Sequence, residues 1–248
     1  MNQNPYQTPT ANVVKKAQTG AAGGSLQGGI NGDYDFKIGD VLGEAWKKTS
    51  GMKGPFWGAA IVVTLIIFVV VFALSFGLAA GSRQSQPGFL TQIILQLVII
   101  AVAYPLMAGI IMMGIRRSVD LPISFNLAFS YFGFAGPIIL AGILMSVLTM
   151  IGFMLLVIPG IYLTVAYYMA IPLIVEKKLG SWQAMEASRR AVTHHWFKVF
   201  FLMILMMLIA AVSAIPLGIG LIWTYPMMIN VIGILYRDIF GVEEARAA

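Results

Sequence analysis

Residues 133–175, GFAGPIILAGILMSVLTMIGFMLLVIPGIYLTVAYYMAIPLIV, constrain this chain more than any other stretch: 43 residues pass without a charged side chain or a histidine. A helix rises ~1.5 Å per residue and the hydrocarbon core of a bilayer is ~30 Å thick, so one crossing takes about 20 residues. The stretch is long enough for two crossings. Pro159-Gly160 is the turn that the sequence offers between them. Backbone amides left unpaired in lipid are costly, so the sequence predicts that Pro159-Gly160 closes a hairpin at a membrane surface.

The rest of the chain repeats this design. A first span is predicted over 56–80 and a second over 89–115, separated by the polar turn SRQSQPG and interrupted at Pro105. Spans three and four occupy 133–158 and 160–175. Residues 199–236 form another charge-free run of 38, read as spans over 199–215 and 217–236 with a turn at Pro216-Leu217-Gly218. The expected fold is therefore all-α: a polytopic membrane protein of six transmembrane helices in three hairpins, occupying 37–241. Composition agrees, since only 10% of residues are charged, against about 25% in a soluble domain. The first long apolar run begins near Phe56, too late for a cleaved secretory signal. With no cysteine, disulfides, thiolate metal sites and cysteine nucleophiles are excluded.

Each hairpin is predicted to be entered through an amphipathic helix lying on the cytoplasmic membrane surface. Over 38–50, Ile38, Val41, Leu42, Ala45, Trp46 and Thr49 recur at the spacing of one helical face. Ser124 can cap a short helix on which Phe125, Ala128, Phe129 and Phe132 share a side. Over 182–196, Trp182, Met185, Val192 and Trp196 do the same, with Gly180 suited to ending the helix before and Ser181 to capping this one. Residues 1–36 lack any apolar period and read as a disordered cytoplasmic tail, and 242–248 as a short second one. An internal repeat is visible too. Tyr104-Pro105-Leu106-Met107 matches Tyr225-Pro226-Met227-Met228, and eleven residues after each proline stand Arg116 and Arg237. Two spans per copy would keep successive copies parallel.

Charge placement gives the orientation. With both termini in the cytoplasm, all ten acidic residues and every one of the 16 Lys and Arg residues except Arg83 fall on the inner side, as the positive-inside rule requires. The net charge of +6 then needs no nucleic acid. The basic residues near the spans are candidate contacts for anionic lipid headgroups: Lys47, Lys48, Lys53, Arg116, Arg117, Lys177, Lys178, Arg189, Arg190 and Lys198.

Chemistry within the membrane usually leaves ionisable residues inside the spans, and none lies within the six predicted here. That argues against an ion-coupled pump, an intramembrane protease and a paired-carboxylate hydrolase. The sequence therefore leads to the expectation of no enzyme, and no catalytic, cofactor or metal site. Adjacent residues on a helix point about 100° apart, so His194 and His195 are poorly placed to share one metal ion. The 15 methionines suit irregular helix packing. Gln92, Gln96, Thr224 and Asn230 offer the alternative of a polar pathway, which would make the chain a channel or facilitator for a small or amphipathic solute. Hydrogen bonding between helices, at about 0.6–2 kcal/mol each, is the plainer use of such groups.

The segments LLVIPGIYL, PLIVEKKLGSWQAMEASRRAV and GILYRDIFG resemble a broad group of uncharacterised bacterial multi-pass membrane proteins. They are similar as well to membrane domains attached to some bacterial glycerophosphodiester phosphodiesterases. The likeness covers mainly the C-terminal half. It implies a bacterial inner membrane setting and no reaction, since no phosphodiesterase domain accompanies these segments. The expected function is that of a non-enzymatic inner membrane scaffold, accessory subunit or envelope-homeostasis factor. Its expected partners are anionic lipids on the cytoplasmic side, other membrane proteins and further copies of the chain.

Overall fold

The computed structural model describes residues 23–81 and 88–243, and all its regular structure is helical. The helices are α1 (Leu26–Asn31), α2 (Ile38–Thr49), α3 (Lys53–Gly81), α4 (Phe89–Ser118), α5 (Ala135–Leu155), α6 (Val157–Ala166), α7 (Ala170–Glu176), α8 (Ser181–His194), α9 (Trp196–Ala214) and α10 (Leu221–Phe240). Two short 3-10 turns, Phe125–Phe129 and Phe132–Phe134, lead into α5. Five segments are long and apolar enough to cross a membrane: Lys53–Gly77, Gln92–Ser118, Phe125–Leu155, Val157–Glu176 and Trp196–Ala214. The chain is thus a multi-pass membrane protein.

The sixth predicted span, 217–236, corresponds to α10, which is not among those five. Its sequence explains why: Thr224, Asn230, Arg237 and Asp238 dilute its apolar character. Protein encloses most of it instead, leaving Ile222, Trp223 and Tyr225 exposed. Thr224, Met227, Asn230, Val231, Ile234 and Tyr236 are all buried along its length. The contact with α4 is set by two glycines. A Cβ at Gly233 would overlap the carbonyl of Gly114, and one at Gly114 would overlap that of Ile229. Small residues let two helix backbones touch in this way. Four residues beyond each glycine, the Arg237 guanidinium donates to the Ser118 carbonyl at 2.9 Å. The two helices therefore run in the same direction, the relation that two-span repeats impose.

The turn between α5 and α6 is not at Pro159-Gly160 but at Leu156, the one extended residue between the two helices (φ −159°, ψ 149°). Pro159 and Gly160 lie in the first turn of α6, where a proline's missing N–H has no intrahelical partner to lose. Gly160 serves packing. A Cβ on Gly152 of α5 would sit 3.0 Å from the Gly160 Cα, so the absence of side chains at both positions lets the hairpin close.

Other expectations need correction. Residues 26–36 are not a disordered tail. Ser25 caps α1 by accepting from the Gly28 N–H, and Tyr34 and Phe36 are buried against the bundle. Residues 1–22 and 244–248 lie outside the described residues. Trp46 and Trp182 do not share the buried faces of α2 and α8, being 55% and 61% exposed. Those faces hold Val41, Ala45 and Thr49 on α2, and on α8 the expected Met185 and Val192 together with the small residues Ala184, Ala187, Ser188 and Ala191. The predicted helix after Ser124 is two 3-10 turns on which Phe125 and Phe132 are exposed while Ala128 is buried against Gly109. Gly180 is the residue before α8 rather than a helix terminator, and Lys178 takes the left-handed conformation instead (φ 54°).

Candidate functional site

The charged residues gather at the end of the bundle where α4 and α10 finish, and most of them engage one another. Arg237 forks onto Glu44 of α2 at 2.5 and 3.0 Å and also reaches Asp238. Burial works against its charge, but the Glu44 hydrogen bond and the Asp238 charge outweigh it, so its pKa stands above the ordinary arginine value. Lys48 pairs with Asp120 at 2.8 Å, and Arg117 donates to the Lys48 carbonyl. Glu176, whose side chain is almost wholly buried, accepts from the Tyr236 hydroxyl at 2.9 Å and pairs with Lys177 at 3.1 Å. Lys177 in turn reaches Glu243 at 3.3 Å, which ties the residues after α10 to the end of α7. On α8, hydrogen bonds from Arg189 and Arg190 hold the Glu186 carboxyl down at about 2.

The segment before α2 is strapped across this end. The Gly24 N–H donates to the Arg237 carbonyl at 2.9 Å, and Tyr34 donates its hydroxyl to the Ala191 carbonyl at 2.9 Å. His194 contacts the Ile30 carbonyl through Nε2, and His195 meets the Tyr34 ring edge-on at 4.8 Å. Asp35 pairs with Lys198, whose hydrogen bond lowers the carboxyl pKa. Burial pushes the Tyr34 hydroxyl well above its usual range. Between the strap and the helix ends lies a cavity of about 620 Å³ whose walls include Tyr34, Glu44, Lys48, Asp120 and Arg237. The histidine pair thus anchors the strap. Among the described residues, no three His, Asp or Glu side chains are placed to hold a metal ion.

The ten predicted headgroup contacts divide by what they touch. Lys48, Arg117, Lys177, Arg189, Arg190 and Lys198 stand in ion pairs. Lys53 lies over the Trp223 ring, 5.1 Å from its centroid, and Arg116 donates to the Pro122 carbonyl at 3.1 Å. Lys47 and Lys178 are exposed, with no ion pair among the described residues. The four residues of the alternative pathway are not brought together. Gln92 and Gln96 are exposed near the start of α4, Thr224 donates to its own helix at Gly220, and Asn230 is fully buried against the Ala45 carbonyl. With Gly114 beside Gly233, Asn230 is level with the last third of α4, about four helical turns from Gln96. The Asn230 Oδ1 has no hydrogen-bond partner among the described residues.

A second feature lies within the apolar part. The stretch Val157–Glu176 is not one helix: it breaks at Tyr167–Met169 between α6 and α7. Pro172 accounts for the break, since it cannot donate to the Tyr168 carbonyl and its ring crowds that carbonyl. Ser188 of α8, fully buried, repairs part of the damage. Its hydroxyl donates to the Ala166 carbonyl at 2.7 Å and accepts from the Met169 N–H at 3.1 Å. On the other side of the break a groove of about 450 Å³ opens between α4, α5 and α6, with Tyr104, Ser146, Thr149, Thr164 and Tyr167 among its walls.

Sequence reasoning missed Glu176, which looked like part of a solvated Glu-Lys-Lys run, and Ser188, Tyr34 and the Gly114–Gly233 contact. The signal for Ser188 was present: it shares the spacing of Ala184, Ala187 and Ala191, a small-residue face of the kind that marks a close helix contact. Comparison with protein-family models, with characterised proteins and with solved structures finds no match for this chain.

Proposed function

We propose that this is a non-enzymatic integral protein of a bacterial inner membrane, acting as a scaffold or accessory subunit that presents a rigid polar platform on the cytoplasmic side. In this reading α10 completes six membrane helices arranged as three hairpins, and both termini are cytoplasmic. The observation that carries it is the pairing at the charged end. Ion pairs and hydrogen bonds join the strap, α2, α4, α8, α10 and Glu243 into one layer above the apolar helices. Side chains arranged this way hold a surface in shape for a partner. The exposed Lys47 and Lys178 are the residues of the basic set best placed to meet anionic headgroups. The solute-pathway alternative needs Gln92, Gln96, Thr224 and Asn230 along one route, and they lie apart.

The test is crosslinking in native membranes followed by co-purification. A stoichiometric membrane-protein partner, lost when the platform is disrupted by Arg237→Ala, supports the proposal. Turnover of a substrate by the purified protein, dependent on its own side chains, would refute it. Because the chain lacks cysteine, single cysteines report orientation cleanly. One at Ser85 should react with an impermeant reagent from outside the cell, and one at Gln183 should not.

A further inference from the structure

The groove beside the broken helix has the features of a ligand site within the membrane. Its walls come from the interiors of three segments long and apolar enough to span: Tyr104 from Gln92–Ser118, Ser146 and Thr149 from Phe125–Leu155, Thr164 and Tyr167 from Val157–Glu176. All three segments are apolar along most of their length. Its volume of about 450 Å³ falls within the roughly 300–1,000 Å³ of ordinary ligand pockets. No Asp, Glu, His, Lys or Arg side chain lines it.

Its hydroxyls fall into two sets. Ser146 donates to the Gly142 carbonyl at 2.8 Å and Thr164 to the Gly160 carbonyl at 2.9 Å, so both are satisfied within their own helices. The Tyr104, Thr149 and Tyr167 hydroxyls donate to no group among the described residues, while the charges of Glu186 and Arg189 on α8, outside the groove lining, act on Tyr167. A hydroxyl donor left without a partner in apolar surroundings is costly, so a ligand that accepts from it is favoured there. The helix break points to the same place. A span can leave its helical path at membrane depth only where protein covers the break or a cavity adjoins it, and discontinuous membrane helices commonly frame binding sites. Ser188 covers the protein side of this break, and Tyr167 belongs to both the break and the groove wall.

We infer that the groove binds a neutral lipid-soluble molecule, a hydrocarbon chain carrying a carbonyl oxygen, which accepts hydrogen bonds from Tyr104, Thr149 and Tyr167. The apolar walls take the chain. No Asp, Glu, Lys, Arg or His lines the groove, which favours a neutral ligand. Both an acyl ester of a membrane lipid and an isoprenoid quinone carry that chemistry. The inference needs only the membrane-crossing segments, and does not depend on the scaffold reading.

The experiment reconstitutes the full chain in phosphatidylcholine bilayers with one of two photoactivatable probes, each with a diazirine in its chain: an acyl-labelled phosphatidylcholine or an isoprenoid quinone. Adducts are mapped by mass spectrometry. The expected result is labelling concentrated on peptides covering 100–111, 145–149 and 163–171, by one probe or both. The probe that labels identifies the source of the carbonyl. Removing the hydroxyls (Y104F, T149V and Y167F together) should reduce that labelling at least tenfold while leaving adducts on α3 unchanged. Blocking the groove with S146F should do the same, and the single variant Y104F, with a threefold or larger reduction, serves if either of these fails to fold. Labelling spread evenly over α3 and the groove, or groove labelling unmoved in the variants that fold, would overturn the inference.

Discussion

Helices α3 and α10 both lie largely in charge-free runs of the sequence, yet they are held in opposite ways. The N-terminal half of α3 meets the bundle, with Phe56, Ala59 and Val63 buried and Trp57, Ala60, Ile66 and Ile67 partly buried beside them, following the buried Met52. Beyond them Phe68, Phe72 and Phe76 are 63%, 60% and 67% exposed and stack on one another along one side. Helix α10 is buried or half-buried from Pro226 to Phe240, with only Ile222, Trp223 and Tyr225 exposed before that, and it touches both α4 and α2. In water the exposure of α3 would be prohibitive. In a bilayer it costs little, because lipid tails are as apolar as the side chains and no hydrophobic force drives helices together. What binds membrane helices is close backbone approach and polar bonding, and those features are concentrated on α10.

The largest contrast should appear between two glycines. Gly233→Leu drives a side chain into the Gly114 carbonyl and should cost at least about 3 kcal/mol, beyond the usual range for an overpacked core. Folded yield and thermal unfolding in detergent measure it. Gly77→Leu on α3, which meets nothing within 4 Å, should leave both unchanged. Next comes Arg237→Ala, which strands Glu44 and Asp238. Because the site is only partly buried, the loss should be about 2 kcal/mol, less than the roughly 3–5 of a fully buried pair. Ser188→Ala should be milder, about 1–2 kcal/mol, since it leaves the Met169 N–H and the Ala166 carbonyl unpaired. Its effect should be local, with faster amide hydrogen exchange at residues 166–170.

The smallest effect is the acid response of α8. The Glu186 carboxyl titrates at about 2 in the folded chain against an ordinary value of 4.5. A depressed carboxylate stabilises the fold fully above its unfolded value, and that contribution is lost as pH falls through the folded one. Unfolding temperatures of the native chain and Glu186→Gln, measured in detergent, should therefore differ at pH 5 and converge as pH approaches 2. The group is largely solvated, so the difference should be slight.

The sequence revealed the long helices well, because length and apolar runs are local properties. Spans expected over 56–80 and 89–115 correspond to Lys53–Gly81 and Phe89–Ser118. Where a turn falls was less legible. Proline and glycine at 159 and 160 marked the α5–α6 hairpin, but a proline fits inside a first helical turn, and the break passed to Leu156. Burial was less legible still. Met185 and Val192 are buried as their spacing suggested, but the tryptophans at 46 and 182 are not, and alanine and serine fill the rest of the contact because close packing favours small side chains. The strap was hidden by its composition. Its stability comes from partners more than 150 residues away, Ala191 for Tyr34 and Lys198 for Asp35, and no local period announces them. The groove was likewise invisible as a unit, since its hydroxyls are scattered over three helices and each alone reads as packing.

In this arrangement protein encloses α10 from Pro226 onward while lipid surrounds most of α3. It is tested most directly by labelling the unmodified protein in bilayers with a carbene reagent dissolved in the lipid phase and mapping adducts by mass spectrometry. The prediction is heavy labelling over residues 61–76 and a small fraction of it over 227–240. Equal labelling of the two stretches would contradict the account.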